Sequence, residues 1–125
     1  MSHSMMEVEH KIDAFKAMGD ATRFRILKLL SENGRLCVTA LANQLQVAQP
    51  TVSQHLKILK VANLVHAERI GTHIHYCIQP TTLEDLSRQI ETFLAPPPLK
   101  AAHPDHECVA KDCLSAESAD DSNTP

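Results

Sequence analysis

Apolar and polar positions divide this chain into a series of helical repeats and one alternating stretch. Val8, Ile12, Phe15 and Met18 recur near helical spacing, which predicts an amphipathic first helix over 6–18 that Gly19 breaks. Asp20 then offers a side-chain cap to a second helix, ATRFRILKLLSEN, with Phe24, Leu27 and Leu30 on one stripe and Ile26 beside it. Asn33-Gly34 ends that helix. Val38, Leu41, Ala42 and Leu45 mark a short third helix over 38–46. Val47 and Ala48 form a tight connection. Pro50, tolerated in a first turn, places the start of a fourth helix near Gln49. This helix turns Val52, Leu56 and Leu59 inward and runs to about Ala62.

The period then changes. LVHAERIGTHIHYCIQP carries β-branched and aromatic residues in two short runs about Gly71-Thr72, which predicts a hairpin ended by Pro80. Thr81 or Thr82 is expected to cap a fifth helix, with Glu84 or Asp85 completing a capping box. Leu83, Leu86, Ile90 and Phe93 or Leu94 form its seam. Ala95-Pro-Pro-Pro98 stops it, and small, polar and acidic residues dominate from residue 99. The expected organisation is a domain over 1–95 and a flexible tail over 96–125. The expected fold is mainly α with a small β-hairpin, in the order α-α-α-α-β-β-α.

Composition adds constraints. A chain of 125 residues suits one compact domain with a tail. With no Trp, one Tyr and three Phe, the core must be built from Leu, Ile, Val and Ala. No apolar run reaches the roughly 18 residues that a membrane-crossing helix needs. MSHSMMEVEHK lacks the basic-then-apolar order of a secretion signal, so a cytoplasmic protein without a membrane partner is expected. No set of nucleophile, base and oxyanion donor points to an enzyme.

Charge is unevenly spread. The formal net charge is −3, yet residues 1–100 hold eleven Lys or Arg against nine Asp or Glu, and 101–125 hold six acids and one Lys. Within 49–79 the only acid is Glu68, against Lys57, Lys60 and Arg69, with His55, His66, His73 and His75 beside them. That segment can accept a polyanion.

The third and fourth helices, joined by so short a connection, have the helix-turn-helix layout, in which the second helix enters the major groove of DNA by its N-terminal residues. Its outward face presents Gln49, Thr51, Ser53, Gln54 and His55, then Lys57 and Lys60. Gln pairs with adenine through two hydrogen bonds, Ser and Thr bond many base edges or phosphates, and Lys serves phosphates. An ordinary solvated helix face would use similar residues. The hairpin tips the balance, because Arg69, Thr72 and His73 lie on or near its tip and provide a second contact to double-stranded operator DNA. The apolar stripes of the first and fifth helices have no place in the groove and can pair with a second subunit, placing half-sites about 34 Å apart.

Met18-Gly19-Asp20, "ATRFRILKLL", "LCVTALANQLQVAQPTVSQHLKILKVANLV" and the hairpin "ERIGTHIHYCI" together resemble the ArsR/SmtB-type winged helix-turn-helix regulators, over about residues 8–95. The resemblance implies a homodimeric repressor that releases its operator when an inducer binds, often a metal ion or a thiol-reactive species. Two familiar inducer sites of that family are not matched. Cys37 stands alone, with Thr39 where a Cys-x-Cys would have its second thiol, and "TTLEDLSRQIETFL" contains no His or Cys.

Other thiols remain. Four cysteines in such a chain read as core thiols, metal ligands or redox groups, not as a disulfide framework. Cys37 begins the third helix, where a thiolate is favoured, but it also reads as a small buried hydrophobe. Cys77 reads as strand packing, and His66, His73 and His75 as surface residues near phosphate. In the tail, "HPDHECVAKDC" supplies His103, His106, Cys108 and Cys113, a tetrahedral set for zinc or another thiophilic metal ion. Its two thiolates can also hold arsenite, with Cys37 as a third, or Cys108 or Cys113 can couple with Cys37 or with the other tail cysteine as a redox switch. Two other functions fit parts of the chain: a small metal-buffering protein carried by the tail, and a winged-helix protein-interaction module without operator binding.

Overall fold

A computed structural model of the chain describes residues 2–97. Five helices and three strands follow in the order α1 (Ser2–Met18), α2 (Ala21–Asn33), β1 (Leu36–Cys37), α3 (Val38–Leu45), α4 (Gln49–Val61), β2 (Val65–Ile70), β3 (His73–Ile78) and α5 (Pro80–Leu94). The compact unit that holds the fold runs through Phe93.

Local chemistry sets the boundaries. Asp20 has extended backbone and its carboxylate accepts the Arg23 backbone N–H at 3.0 Å, so it caps α2 as expected. Gly34, at φ 85°, closes α2 by donating its N–H to the Leu30 carbonyl. Gln46 takes the left-handed conformation at φ 56° and ends α3, and α4 begins three residues later with proline in its first turn. A second left-handed residue, Asn63 at φ 60°, turns the chain from α4 into β2.

All five helices and the sheet contribute to one core of Ile26, Leu27, Leu30, Leu41, Leu56, Leu59 and their neighbours. The expected inward face of α4 is realised: Val52, Leu56 and Leu59 are almost wholly buried. Phe24 departs from its expected place and is 53% exposed. At about 100° per residue it lies roughly 110° around the helix from the mean direction of Ile26, Leu27 and Leu30, which take the core. On α1 the inner contact is made by Ala14 and Ala17, while Val8 and Ile12 of the expected stripe stay exposed.

The sheet has three strands, ordered β1-β3-β2 and antiparallel throughout. The hairpin is as expected, whereas β1 has no counterpart in the sequence pattern. It pairs Leu36 with Tyr76 and Cys37 with His75 along the free edge of β3. Gly71 takes φ 64°, the sign that the first position of a two-residue type II′ turn requires. Directly opposed residues share a face, so Leu36, Val65, Ala67, Tyr76 and Ile78 line one side. Val65 belongs to the core, and Leu36, Tyr76 and Ile78 pack against it.

One expected cap is absent. Helix α5 begins at Pro80, whose missing N–H costs nothing at a first helical position, so neither Thr81 nor Thr82 precedes it as a cap. The Thr82 hydroxyl instead accepts from Asn63 Nδ2 at 3.2 Å.

Candidate nucleic-acid interface

The start of α4 is held from below by apolar packing and from the side by polar contacts. Gln49 Nε2 donates to Thr39 Oγ1 of α3 at 3.1 Å, joining the first turns of the two helices. Ala48, the residue before α4, provides no side-chain cap, so the helix start keeps its positive end uncompensated by a carboxylate or hydroxyl. Beyond it Thr51, Ser53, Gln54, Lys57 and Lys60 are all exposed. They form the polar side of a helix whose other side is buried.

His55 is arranged differently from its neighbours. Its side chain is 20% exposed, and Nδ1 lies 3.3 Å from an Arg23 guanidinium nitrogen and 3.9 Å from the Asp20 carboxylate. Arg23 Nε also donates to the Ala17 carbonyl at 2.7 Å, so these side chains tie α4 to the end of α1 and the start of α2. The Arg23 backbone N–H, together with the charges of Arg23 and His55, holds the Asp20 carboxyl below its ordinary range against a smaller effect of partial burial.

The hairpin projects a second polar group. Arg69, Thr72 and His73 are exposed at or beside the turn. Arg69 opposes Ile74 and His73 opposes Ile70, which puts Arg69 and His73 on opposite faces of the ribbon. An exposed polar helix start beside a hairpin carrying a cation defines the winged helix-turn-helix class of DNA-binding domain.

The thiol and histidine expectations fare unevenly. His103, His106, Cys108 and Cys113 lie outside the described residues. Cys37 is half-buried at the junction of β1 and α3. His66 and Cys77 oppose each other across β2 and β3, Glu68 and His75 form the next opposed pair, and Cys37 opposes His75 from β1. All five therefore share the sheet face turned away from the core. Read along the sequence these residues are separate, and only cross-strand register brings them together.

The family description "Bacterial regulatory protein, arsR family" matches residues 20–67. An uncharacterized HTH-type transcriptional regulator of Methanocaldococcus jannaschii is 41% identical over 87 residues, covering 70% of this chain and 98% of the relative. The transcriptional repressor SdpR of Bacillus subtilis is 37% identical over 82 residues, covering 66% of this chain and 90% of that protein. Among solved structures, the homodimeric winged helix-turn-helix DNA-binding domain of a possible ArsR-family regulator from Mycobacterium bovis superposes with a TM-score of 0.61 at 29% identity, over 75% of this chain and 83% of that one. The chain belongs to the arsR family of bacterial regulatory proteins, and it is a DNA-binding transcriptional regulator. No helix among the described residues is long and apolar enough to cross a membrane.

Proposed function

We propose that the protein is a homodimeric repressor whose two α4 helices read one double-stranded operator, and that a metal ion, a metalloid such as arsenite or a thiol-reactive inducer releases it. The observation that carries the operator reading is the division of α4, with Val52, Leu56 and Leu59 buried and Thr51, Ser53 and Gln54 exposed on its first turns. Gln54 and Ser53 contact base edges, with Thr51 and Gln49 at the rim of the contact. Lys57, Lys60, Arg69 and Thr72 hold the phosphate backbone, with His73 at the wing tip. His55, turned toward Asp20 and Arg23, sets the pose of the helix more than it reads bases. Exposed Ile12 and Phe93 leave apolar surface for the second subunit.

Selection from a randomised duplex library supplies the test, because it works whatever the operator sequence is. The wild-type protein is expected to enrich a two-fold symmetric site. Ser53→Ala combined with Gln54→Ala is expected to lose at least tenfold in affinity for that site, since one good base contact is worth about 1–3 kcal/mol. Dimer formation and weak binding to unrelated duplex should survive. Enrichment of no sequence, or undiminished affinity in the double variant, would overturn the operator reading.

A further inference from the structure

The sheet face turned away from the core carries a group of side chains that operator binding does not use. His66, Glu68 and Cys77 each present one ligand atom, and the three atoms all lie within 4.8 Å of one another. Cys77 Sγ donates to Glu68 Oε1 at 3.1 Å. His66 Nδ1 is buried with no hydrogen-bond partner, and so is Nδ1 of His75 on the same face. A buried ring nitrogen without a partner is costly unless something occupies it. Tetrahedral zinc, with ligand bonds of about 2.0–2.3 Å, needs its donors about 3.5 Å apart, so side-chain adjustment alone closes the remaining gap.

We propose that His66, Glu68 and Cys77 form a binding site on the wing for a borderline-soft divalent cation of the zinc class. One imidazole, one carboxylate and one thiolate make the mixed donor set that such ions accept, and the fourth tetrahedral position is left to water. On binding, the Cys77 thiol gives its proton to solvent, its hydrogen bond to Glu68 is replaced by a metal–sulfur bond, and the carboxylate turns to the ion. No electron is transferred. Because His66 and Glu68 lie on β2 and Cys77 on β3, the ion cross-links the two strands that carry Arg69 and Thr72 to the wing tip.

Cobalt(II) serves as the probe, because thiolate ligation gives it a near-ultraviolet charge-transfer band and tetrahedral geometry gives it intense visible bands. The full-length chain is used with Cys108→Ser and Cys113→Ser, so that tail thiols cannot supply the signal. One cobalt per chain with both sets of bands is expected. Cys77→Ser should abolish the charge-transfer band, and Cys37→Ser should leave it. Glu68→Gln, a change at an exposed position that leaves the fold intact, should weaken cobalt binding by more than the ~10-fold that losing a supporting group costs. Cobalt should also raise the thermal midpoint of the starting protein and leave that of Cys77→Ser unmoved. A band that survives Cys77→Ser, a band that follows Cys37 instead, unchanged affinity in Glu68→Gln, or no cobalt uptake would each overturn the site. The titration contains no DNA, so its failure leaves operator binding untouched.

Discussion

Asp20 shows one carboxylate acting on two helices. It caps α2 through the Arg23 N–H and stands 3.9 Å from His55 on α4, so the residue that starts one helix also steadies the other. Because its folded-state carboxyl is held below the ordinary value of 3.8, ionised Asp20 stabilises the fold at pH above that value. The contribution is lost as pH falls through the lowered folded-state value. Asp20→Ala is therefore expected to lower the thermal midpoint at neutral pH, with the gap from wild type closing below pH 3.8. Asp20→Asn, which still caps but carries no charge, should fall between the two. Thermal melts of the three proteins across this pH range check both points, and a gap that stays constant would assign the loss to packing instead.

At the scale of elements, legibility follows local chemistry. The buried stripe of α4, the Asp20 cap and the Gly71 turn each have a signal within a few residues, and the structure bears these out. Strand β1 has only two residues and no periodicity to announce it, since it exists because β3 offers an unpaired edge. Pro80 reads in the sequence as the end of a strand, while the same fixed backbone angle suits the start of α5. The His66, Glu68 and Cys77 cluster is illegible for a stricter reason. A slip of one residue between β2 and β3 would put Cys77 on the face opposite His66 and Glu68, and register is a property of two strands together. The hairpin also yields a prediction of its own. Arg69 is exposed and carries the positive charge nearest the turn. Arg69→Ala should weaken binding to specific and unrelated duplex alike. It should also flatten the plot of log affinity against log salt by about 1 for each wing, or about 2 in a dimer. Affinities measured at several salt concentrations decide this, and a loss confined to the selected sequence would move Arg69 from phosphate contact to base reading.

For the whole molecule, the decisive matter is how a domain with few cations binds DNA tightly enough to regulate. Residues 1–100 exceed neutrality by only two positive charges, so one copy gains little from phosphate contact alone. Two linked copies bind far better than one, because the second contact becomes intramolecular. The surface for such pairing is present on the outer helices. Ile12 of α1 and Ile90 of α5 are each 46% exposed, and Phe93 of α5 is 77% exposed. Phe24 adds to it at the edge of a groove that Phe15, Met18, Leu83 and Ile90 also line. None of Ile12, Ile90 or Phe93 supports the core of a single subunit, so charge placed there should separate subunits without unfolding them. Ile12→Glu with Phe93→Glu is expected to sediment as a monomer while retaining its helical circular dichroism. Its affinity for the selected two-fold site should fall by about 100-fold or more, with weak single-site binding retained. If the double variant stays dimeric, the subunits meet through another face. If it is monomeric and still binds the site as tightly, one α4 suffices and the two-fold operator reading fails.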